Sequence, residues 1–366
     1  MTPRTPPRAA LAVSQVRYPT RRTMLTTELI EQVLTALPHK TVGLLGDLFL
    51  DRYLDIDPAR DEPSVETGLT AYQVTGVRAY PGALGTVLNN LAALGVGRIV
   101  PVAAIGDDGE GYELRQALGR VPAVDATHVF SAPGRRTPTY TKPMYSTKEL
   151  NRLDIKNRTP TPAAVEDWII SLIETAWREC DALIVLDQVS EKDCGVVTGR
   201  VRSHVAKLAA RDPGKFVLAD SREQIGLFRS VAVKPNESEC SRAIWDKPPD
   251  PRKFSFEPLD LAGQVGGPVF CTRGQHGIQL VSKPDGVGHT SAVEIPAYPV
   301  SGPIDICGAG DSCSAGITSA VASGLTHEQA AAFGNLIASI TIQQIGVTGT
   351  ASPEQVRARW REVSRS

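Results

Sequence analysis

The sequence contains no uninterrupted apolar run long enough to cross a bilayer, which excludes a helical membrane-spanning protein. Net charge is almost absent as well. Lys+Arg 39 against Asp+Glu 40 leave −1, so no global basic field points to nucleic acid or an anionic membrane surface. Cysteine is sparse and scattered, at 180, 194, 240, 271, 307 and 313, with no C-x-x-C pair and no histidine pattern suited to zinc. A disulfide framework does not suit a chain of 366 residues without a secretory signal, so buried thiols in a reducing cytoplasm are expected. No G-x-G-x-x-G follows a strand pattern and no Walker-type G-x-x-x-x-G-K-[S/T] occurs, which disfavours a dinucleotide oxidoreductase and a P-loop enzyme. Gly 32 and Pro 27 exceed average usage without a collagen-like period. What remains is a globular protein of ordinary apolar content with many glycines to place.

Residues 1–23 differ from the rest, with five arginines, several prolines and no acidic residue before Glu28. An Arg-rich, acid-poor start also suits a targeting peptide. The favoured expectation is a disordered N-terminal tail, with Met24 preceding the first helix. From there strand and helix patterns alternate. Short apolar bursts at Thr41–Leu45, Arg98–Ala103, Ala182–Leu186, Phe216–Ala219 and Pro268–Cys271 read as buried strands. Helical patterns lie near 84–94, 163–179, 196–210, 311–323 and 327–344, and Ser352-Pro353 opens a terminal helix as N-cap and first-turn proline. Trp168 and Trp177 fall on apolar helix faces and are expected in the core. The alternation predicts a three-layer α/β fold with a mostly parallel central sheet. Two stretches, about 53–80 and 137–155, carry shorter Thr-, Tyr- and Val-rich alternation and are expected as antiparallel strands of a small inserted lid. The length therefore reads as one large domain, 24–366, plus that lid.

The strongest chemical signal is Asp305-Ile306-Cys307-Gly308-Ala309-Gly310-Asp311 ahead of a small-residue helix. A Gly-Ala-Gly turn lets backbone approach a ligand, and its amides open a helix N-terminus that attracts anions. An aspartate there can accept a hydroxyl proton while the amides stabilise a transferring phosphoryl group. Asp is also a favoured N-cap, so taken alone the motif divides evenly between catalysis and capping.

The segment resembles the D-T-x-G-A-G-D signature of the ribokinase (PfkB) family of carbohydrate kinases, and the resemblance runs along nearly the whole chain from about residue 41. Pro81-Gly82-Ala83-Leu84-Gly85, leading to Asn89-Asn90, is similar to the family's N-terminal glycine signature beside the sugar. Lys234-Pro235-Asn236-Glu237-Ser238-Glu239 resembles its N-x-x-E motif, and Thr272-Arg273-Gly274 with Gly277 its nucleotide loop. Gly46-Asp47-Leu48-Phe49-Leu50-Asp51, Leu150-Asn151-Arg152-Leu153-Asp154 and Phe333-Gly334-Asn335 are similar to the heptose-phosphate kinase branch. The resemblance implies a ribokinase-like fold and an ATP- and Mg2+-dependent sugar kinase, with the anomeric hydroxyl of a heptose 7-phosphate as one acceptor.

On that reading Asp311 is the base and Gly308, Ala309 and Gly310 supply the anion hole. Asp51, Gly82, Asn90, Lys142 and Arg152 meet the sugar or its phosphate, with Lys148 nearby. Thr272, Gly274, Gly277 and Asn335 meet the nucleotide. Asn236 and Glu239 serve magnesium through water, although Asn followed three residues later by Glu is equally a helix cap. Asp305 neighbours a monovalent cation such as K+, if one is used. The resemblance also implies a homodimer joined through the lid. Neither nucleic acid nor membrane is an expected partner, and the expected location is cytoplasmic.

Several positions depart from the pattern. Ala83 replaces a glycine, Thr86 an asparagine, and Ile306 and Cys307 stand where hydroxyls are usual. The nucleotidyltransferase domain of the branch's bifunctional members has no counterpart motif, so a kinase part only is expected. A kinase for an unphosphorylated sugar or nucleoside, and a non-catalytic sugar or nucleotide sensor on the same fold, remain alternatives.

Overall fold

The five apolar bursts become strands of one sheet because helices cover both of its faces. The computed structural model describes residues 13–17, 24–245, 257–282 and 290–364. The strands are β1 Val13–Arg17, β2 Thr41–Gly46, β3 Leu48–Ile56, β4 Glu62–Pro63, β5 Thr70–Ala71, β6 Val74–Ala83, β7 Arg98–Ile105, β8 Val129–Ser131 and β9 Thr139–Tyr145. They continue as β10 Lys148–Glu149, β11 Leu153–Ile155, β12 Ala182–Asp187, β13 Phe216–Ser221, β14 Ala232–Val233, β15 Val269–Thr272, β16 Ile278–Val281 and β17 Thr290–Ile295. The helices are α1 Thr27–Ala36, α2 Leu84–Leu94, α3 Gly109–Leu118, α4 Ala163–Glu179 and α5 Gly199–Arg211. After them come α6 Glu237–Trp245, α7 Glu257–Val265, α8 Ala309–Ala322, α9 His327–Thr341 and α10 Pro353–Val363.

The main sheet has the order β1-β17-β16-β15-β14-β13-β12-β2-β7-β8. It is parallel from β15 through β8, and β16 runs antiparallel to both its neighbours. Alternate residues of each strand enter opposite cores, as the period of two requires. Leu44 and Ile184 join α2, α8 and α9 on one face, whereas Leu45 and Val185 join α4 and α5 on the other. The result is the expected three-layer arrangement.

β1 departs from expectation. Val13–Arg17, foreseen within a disordered tail, pairs in parallel with β17 as the edge strand. Its Val-x-x-Val pattern was masked by the arginines and prolines around it. The remainder of the expected tail, 1–12 and 18–23, lies outside the described residues. Trp177 is buried as foreseen, but Trp168 is 48 % exposed and stacks on Phe130 at 4.3 Å, an edge contact instead of a core one. Of the thiols, Cys307 is exposed and the other five are buried.

A second sheet, β10-β9-β3-β6 with β11 on β9, is built from the two inserted stretches. It begins earlier and ends later than the Thr/Tyr/Val patterning implied, with Leu48 paired to Ala83. Only Asp47 separates β2 from β3, and the apolar Leu48-Phe49-Leu50 continues the core pattern across that break. β3 pairs antiparallel with β6 and parallel with β9, which joins the two insertions into one surface.

Candidate active site

Parallel α/β sheets gather ligands beyond the carboxyl ends of their strands. Here β13 ends in Asp220 and Ser221, β14 leads into Lys234, and β15 ends in Thr272. An isolated parallel bridge between Asn236 and Thr272 holds the last two loops side by side. Above these ends lies a cavity of about 770 Å³, a size that suits a nucleotide-scale ligand. Its walls include Thr272, Gly274, Gly277 and Asn335 together with Asn236, Glu239 and the Gly308–Asp311 turn. Residues chosen separately from the sequence for nucleotide, metal and catalysis therefore line one space.

The Gly308–Asp311 turn opens α8. Gly308 has φ +76°, and a Cβ there would lie 2.5 Å from Thr348 Cγ2, so both conformation and space require glycine. No side chain caps this helix. The Ala309 N–H donates to the Ile306 carbonyl at 3.1 Å, so it is occupied by the turn and does not serve as the open amide foreseen for it. The Gly310 and Asp311 amides, in the first helical turn, have no intrahelical acceptor and face the positive end of the dipole.

Asp311 is half-buried and its carboxylate makes no hydrogen bond among the described residues. Burial pushes its pKa up to about 7, the Asp220 carboxylate adds to the rise, and Lys234 and Arg222 oppose it. Beneath it Lys234, only 3 % exposed, pairs with Asp220 at 2.8 Å, and Ser314 Oγ donates to the same Asp220 oxygen at 3.2 Å. Burial works against the Lys234 ammonium, yet Asp220 outweighs it and holds the lysine pKa above its ordinary value. A Cβ on Gly310 would sit 3.6 Å from Lys234 Nζ, which places the ammonium against the anion-binding turn.

Asn236 and Glu239 cap α6 reciprocally. The Asn236 N–H donates to Glu239 Oε2 at 2.8 Å, and the Glu239 N–H donates to Asn236 Oδ1 at 2.9 Å. The capping geometry weighed against a metal role is thus present, but both residues still line the cavity. Burial raises the Glu239 pKa and nearby Asp220 raises it further, so a cation at this end would relieve charge already crowded there. These oxygen donors suit magnesium held largely by water and phosphate. Asp305 ties two loops together, accepting from the Cys307 N–H at 3.0 Å and the Gly346 N–H at 3.1 Å. Those bonds hold its pKa below the usual carboxylate range.

The expected acceptor residues lie on the second sheet. Asp51 sits inside β3, not at the end of the first main strand, between Tyr80 of β6 and Tyr140 of β9. A Cβ on Gly82 would lie 2.2 Å from Asp51 Oδ2, so glycine is what admits the carboxylate. Burial raises the Asp51 pKa, with Lys142 and Arg152 opposing. Lys142 donates to Tyr53 OH at 3.3 Å, while Arg152 stacks 4.2 Å over Tyr140 and forks onto Asp154 at 2.7 and 2.9 Å. Lys148 is exposed on β10. Asn90 is fully buried within α2, its Nδ2 donating to the Thr86 carbonyl at 2.9 Å, so it is not brought to the cavity.

Sequence reasoning passed over Asp220 and Arg222, and quoted Lys234 without giving it a role. The signal was present: Asp220-Ser221-Arg222 ends an apolar strand, and Lys234 opens the quoted Lys234–Glu239 run. Thr86 lies against the Gly308–Asp311 turn, its methyl 3.5 Å from where a Gly308 Cβ would be. Ile306 and Cys307 are exposed, and of the two only Ile306 lines the cavity.

Among solved structures the fold is similar to Arabidopsis thaliana ribokinase complexed with ribose and ATP. That likeness has a TM-score of 0.62 at 17% identity and covers 87% of this chain and 98% of that one. Thermotoga maritima ribokinase gives 0.61 at 17% identity, covering 88% and 99%. The chain is 29% identical over 318 residues to the bifunctional protein HldE of Granulibacter bethesdensis, covering 86% of this chain and 63% of that protein. It is 29% identical over 334 residues to HldE of Geotalea uraniireducens, covering 90% and 64%. It thus spans less than two thirds of the length of these relatives. No helix among the described residues is long and apolar enough to cross a membrane. Residues 49–355 match the pfkB family carbohydrate kinase profile, and the chain belongs to that family of sugar kinases.

Proposed function

We propose that the chain transfers the γ-phosphoryl group of ATP to the anomeric hydroxyl of a heptose 7-phosphate, with residues 24–366 as the kinase unit and the second sheet as its lid. The observation that carries this reading is Asp311, an unengaged carboxylate beside open helix-terminal amides on the cavity wall. Phosphoryl transfer asks a protein mainly for positioning and charge neutralisation. The acceptor O–H gives its proton to Asp311 as the new P–O bond forms, and the bond to the ADP oxygen breaks. The Gly310 and Asp311 amides stabilise the negative charge that spreads over the phosphoryl oxygens. Glu239 and Asn236 would hold magnesium through water, which when bound neutralises charge on the ATP phosphates.

The phosphorylated heptose is supported by the similarity to HldE over most of the chain and by the cations around Asp51. The lid strands leave Val65, Leu69, Tyr72, Val74, Val77 and Tyr80 exposed, which supports pairing of two lids in a homodimer. The deciding experiment is a phosphate-donor assay over sugars and sugar phosphates, read by mass. Heptose 7-phosphate should gain one phosphate in a wild-type reaction that Asp311→Asn abolishes. Transfer only to unphosphorylated sugars or nucleosides would replace the acceptor. Binding of sugar and nucleotide without turnover would make the protein a sensor.

A further inference from the structure

Arg222 follows β13 at the boundary between two spaces. It lines the 770 Å³ cavity beside Asp220, Lys234 and Asp311. It also lines a smaller pocket bounded by Asp47, Phe49, Tyr140 and Lys156, on the side of the second sheet. Gln188 is the other residue common to both. The charge of Arg222 acts on groups from each side, favouring the ionised forms of Asp311 and of Tyr140.

The backbone of Arg222 is anchored. Its N–H donates to the Asp187 carbonyl at 3.2 Å, and its carbonyl accepts from Arg242 at 2.7 Å. Its guanidinium is exposed and makes no hydrogen bond or ion pair among the described residues. Three nearby cations are committed, Lys234 to Asp220, Arg152 to Asp154 and Lys142 to Tyr53, and Lys156 lies 6.0 Å over the Tyr140 ring and lines only the smaller pocket. Arg222 is thus an unspent, fork-shaped donor set that lines both the large cavity and the pocket on the side of the second sheet.

We propose that Arg222 is a catalytic residue whose guanidinium contacts the phosphoryl group in transit between donor and acceptor. This rests on the phosphotransfer reading and adds to it a cation on the wall of the same cavity as the α8 amides. In a loose transition state the phosphoryl group stands apart from both oxygens and charge grows on the leaving ADP oxygen, so a donor that meets the group in transit acts on the transition state more than on bound ATP.

The test compares wild type with Arg222→Gln and Arg222→Lys, using MgATP, heptose 7-phosphate and MgADP with and without fluoroaluminate. Because the side chain supports no contact, both variants should melt with the wild type. Arg222→Gln should lose about 100- to 1,000-fold in kcat, with both KM values and the MgADP Kd within about threefold. The extra affinity that fluoroaluminate gives MgADP in the wild type should vanish in Arg222→Gln and return in part in Arg222→Lys. An unchanged kcat would overturn the proposal. So would a loss confined to the KM for heptose 7-phosphate, which would assign Arg222 to the acceptor's own phosphate. Equal weakening of MgADP would do so too. If the wild type transfers nothing to heptose 7-phosphate, the proposed acceptor is wrong, and the fluoroaluminate comparison, which needs no sugar, still decides Arg222.

Discussion

Asp311→Asn should inactivate the enzyme and at the same time stabilise it, by an amount that depends on pH. In the folded chain the Asp311 pKa lies at about 7, against an ordinary 3.8, with burial as the main cause. Between those values the folded state binds more protons than the unfolded one, so stability falls as pH rises. Above about pH 7 the full cost of an ionised Asp311 is present. Roughly three units at 1.36 kcal/mol each put it on the order of 4 kcal/mol. At pH 5.5 the folded group is still protonated and the cost is about 2 kcal/mol. Asparagine carries no such cost. From the usual unfolding entropy per residue, the variant should melt roughly 5 °C above wild type at pH 8 and about 2–3 °C above it at pH 5.5. Scanning calorimetry at the two pH values measures this, and a parallel assay should show kcat reduced about 100- to 10,000-fold. A gain of the same size at both pH values, or a loss of stability at pH 8, would refute the argument that burial of this carboxylate costs stability.

The Ala83 backbone, at φ +51° and ψ −111°, is one only glycine adopts freely. Ala83→Gly should therefore stabilise by roughly 1 kcal/mol, strain relief of about 2 less the entropy of an added glycine, and a lower melting temperature would count against it. Asp220→Asn leaves Lys234 buried without its counter-charge and should cost about 3–5 kcal/mol in urea unfolding; a loss below 1 kcal/mol would mean that water reaches the pair. Gly82→Ala pushes Asp51 out of place, which should lower kcat/KM for the sugar about 100-fold while MgATP binding holds; equal losses for both substrates would disconnect Asp51 from the acceptor. Val77→Glu on the exposed lid face should convert a dimer to a monomer in light scattering, and a wild type already monomeric at micromolar concentration would end the dimer proposal.

The main sheet was legible because its strands are buried on both faces and so read as continuous apolar bursts, as at Ala182–Leu186. The helices with wide apolar stripes were equally plain, and Ser352-Pro353 marked the start of α10, where the side chain of Ser352 accepts from Gln355 N–H. α3 escaped notice because its sequence is polar and glycine-bearing, and its start depends on one capping aspartate, Asp108, accepting from the Gly111 N–H. β1 escaped because a five-residue edge strand takes its stability from β17, far along the chain. In the site, residues joined by short motifs were legible, since Gly308–Asp311 is contiguous. The Asp220–Lys234 pair was not, because it is assembled by neighbouring strands and no local spacing encodes it. The burial of Asn90 was not legible either, because the motif gives its place in the sequence and not the face of the helix on which it falls.

The four places where the chain passes between the two sheets are each fastened by buried polar groups. Asp47 accepts from the Val196 N–H at 3.0 Å, and its carbonyl accepts from the Leu84 N–H at 3.2 Å. Thr137 donates to Asp108 at 2.7 Å and accepts from the Gly106 N–H at 3.0 Å, and Thr161 donates to the Gly195 carbonyl at 2.7 Å. The second sheet is accordingly no cassette. It cannot be excised or exchanged between relatives as one piece, since two separate inserts must be replaced together and every seam re-matched to foreign main-sheet loops. A single-residue replacement on the second sheet, by contrast, leaves all four seams untouched.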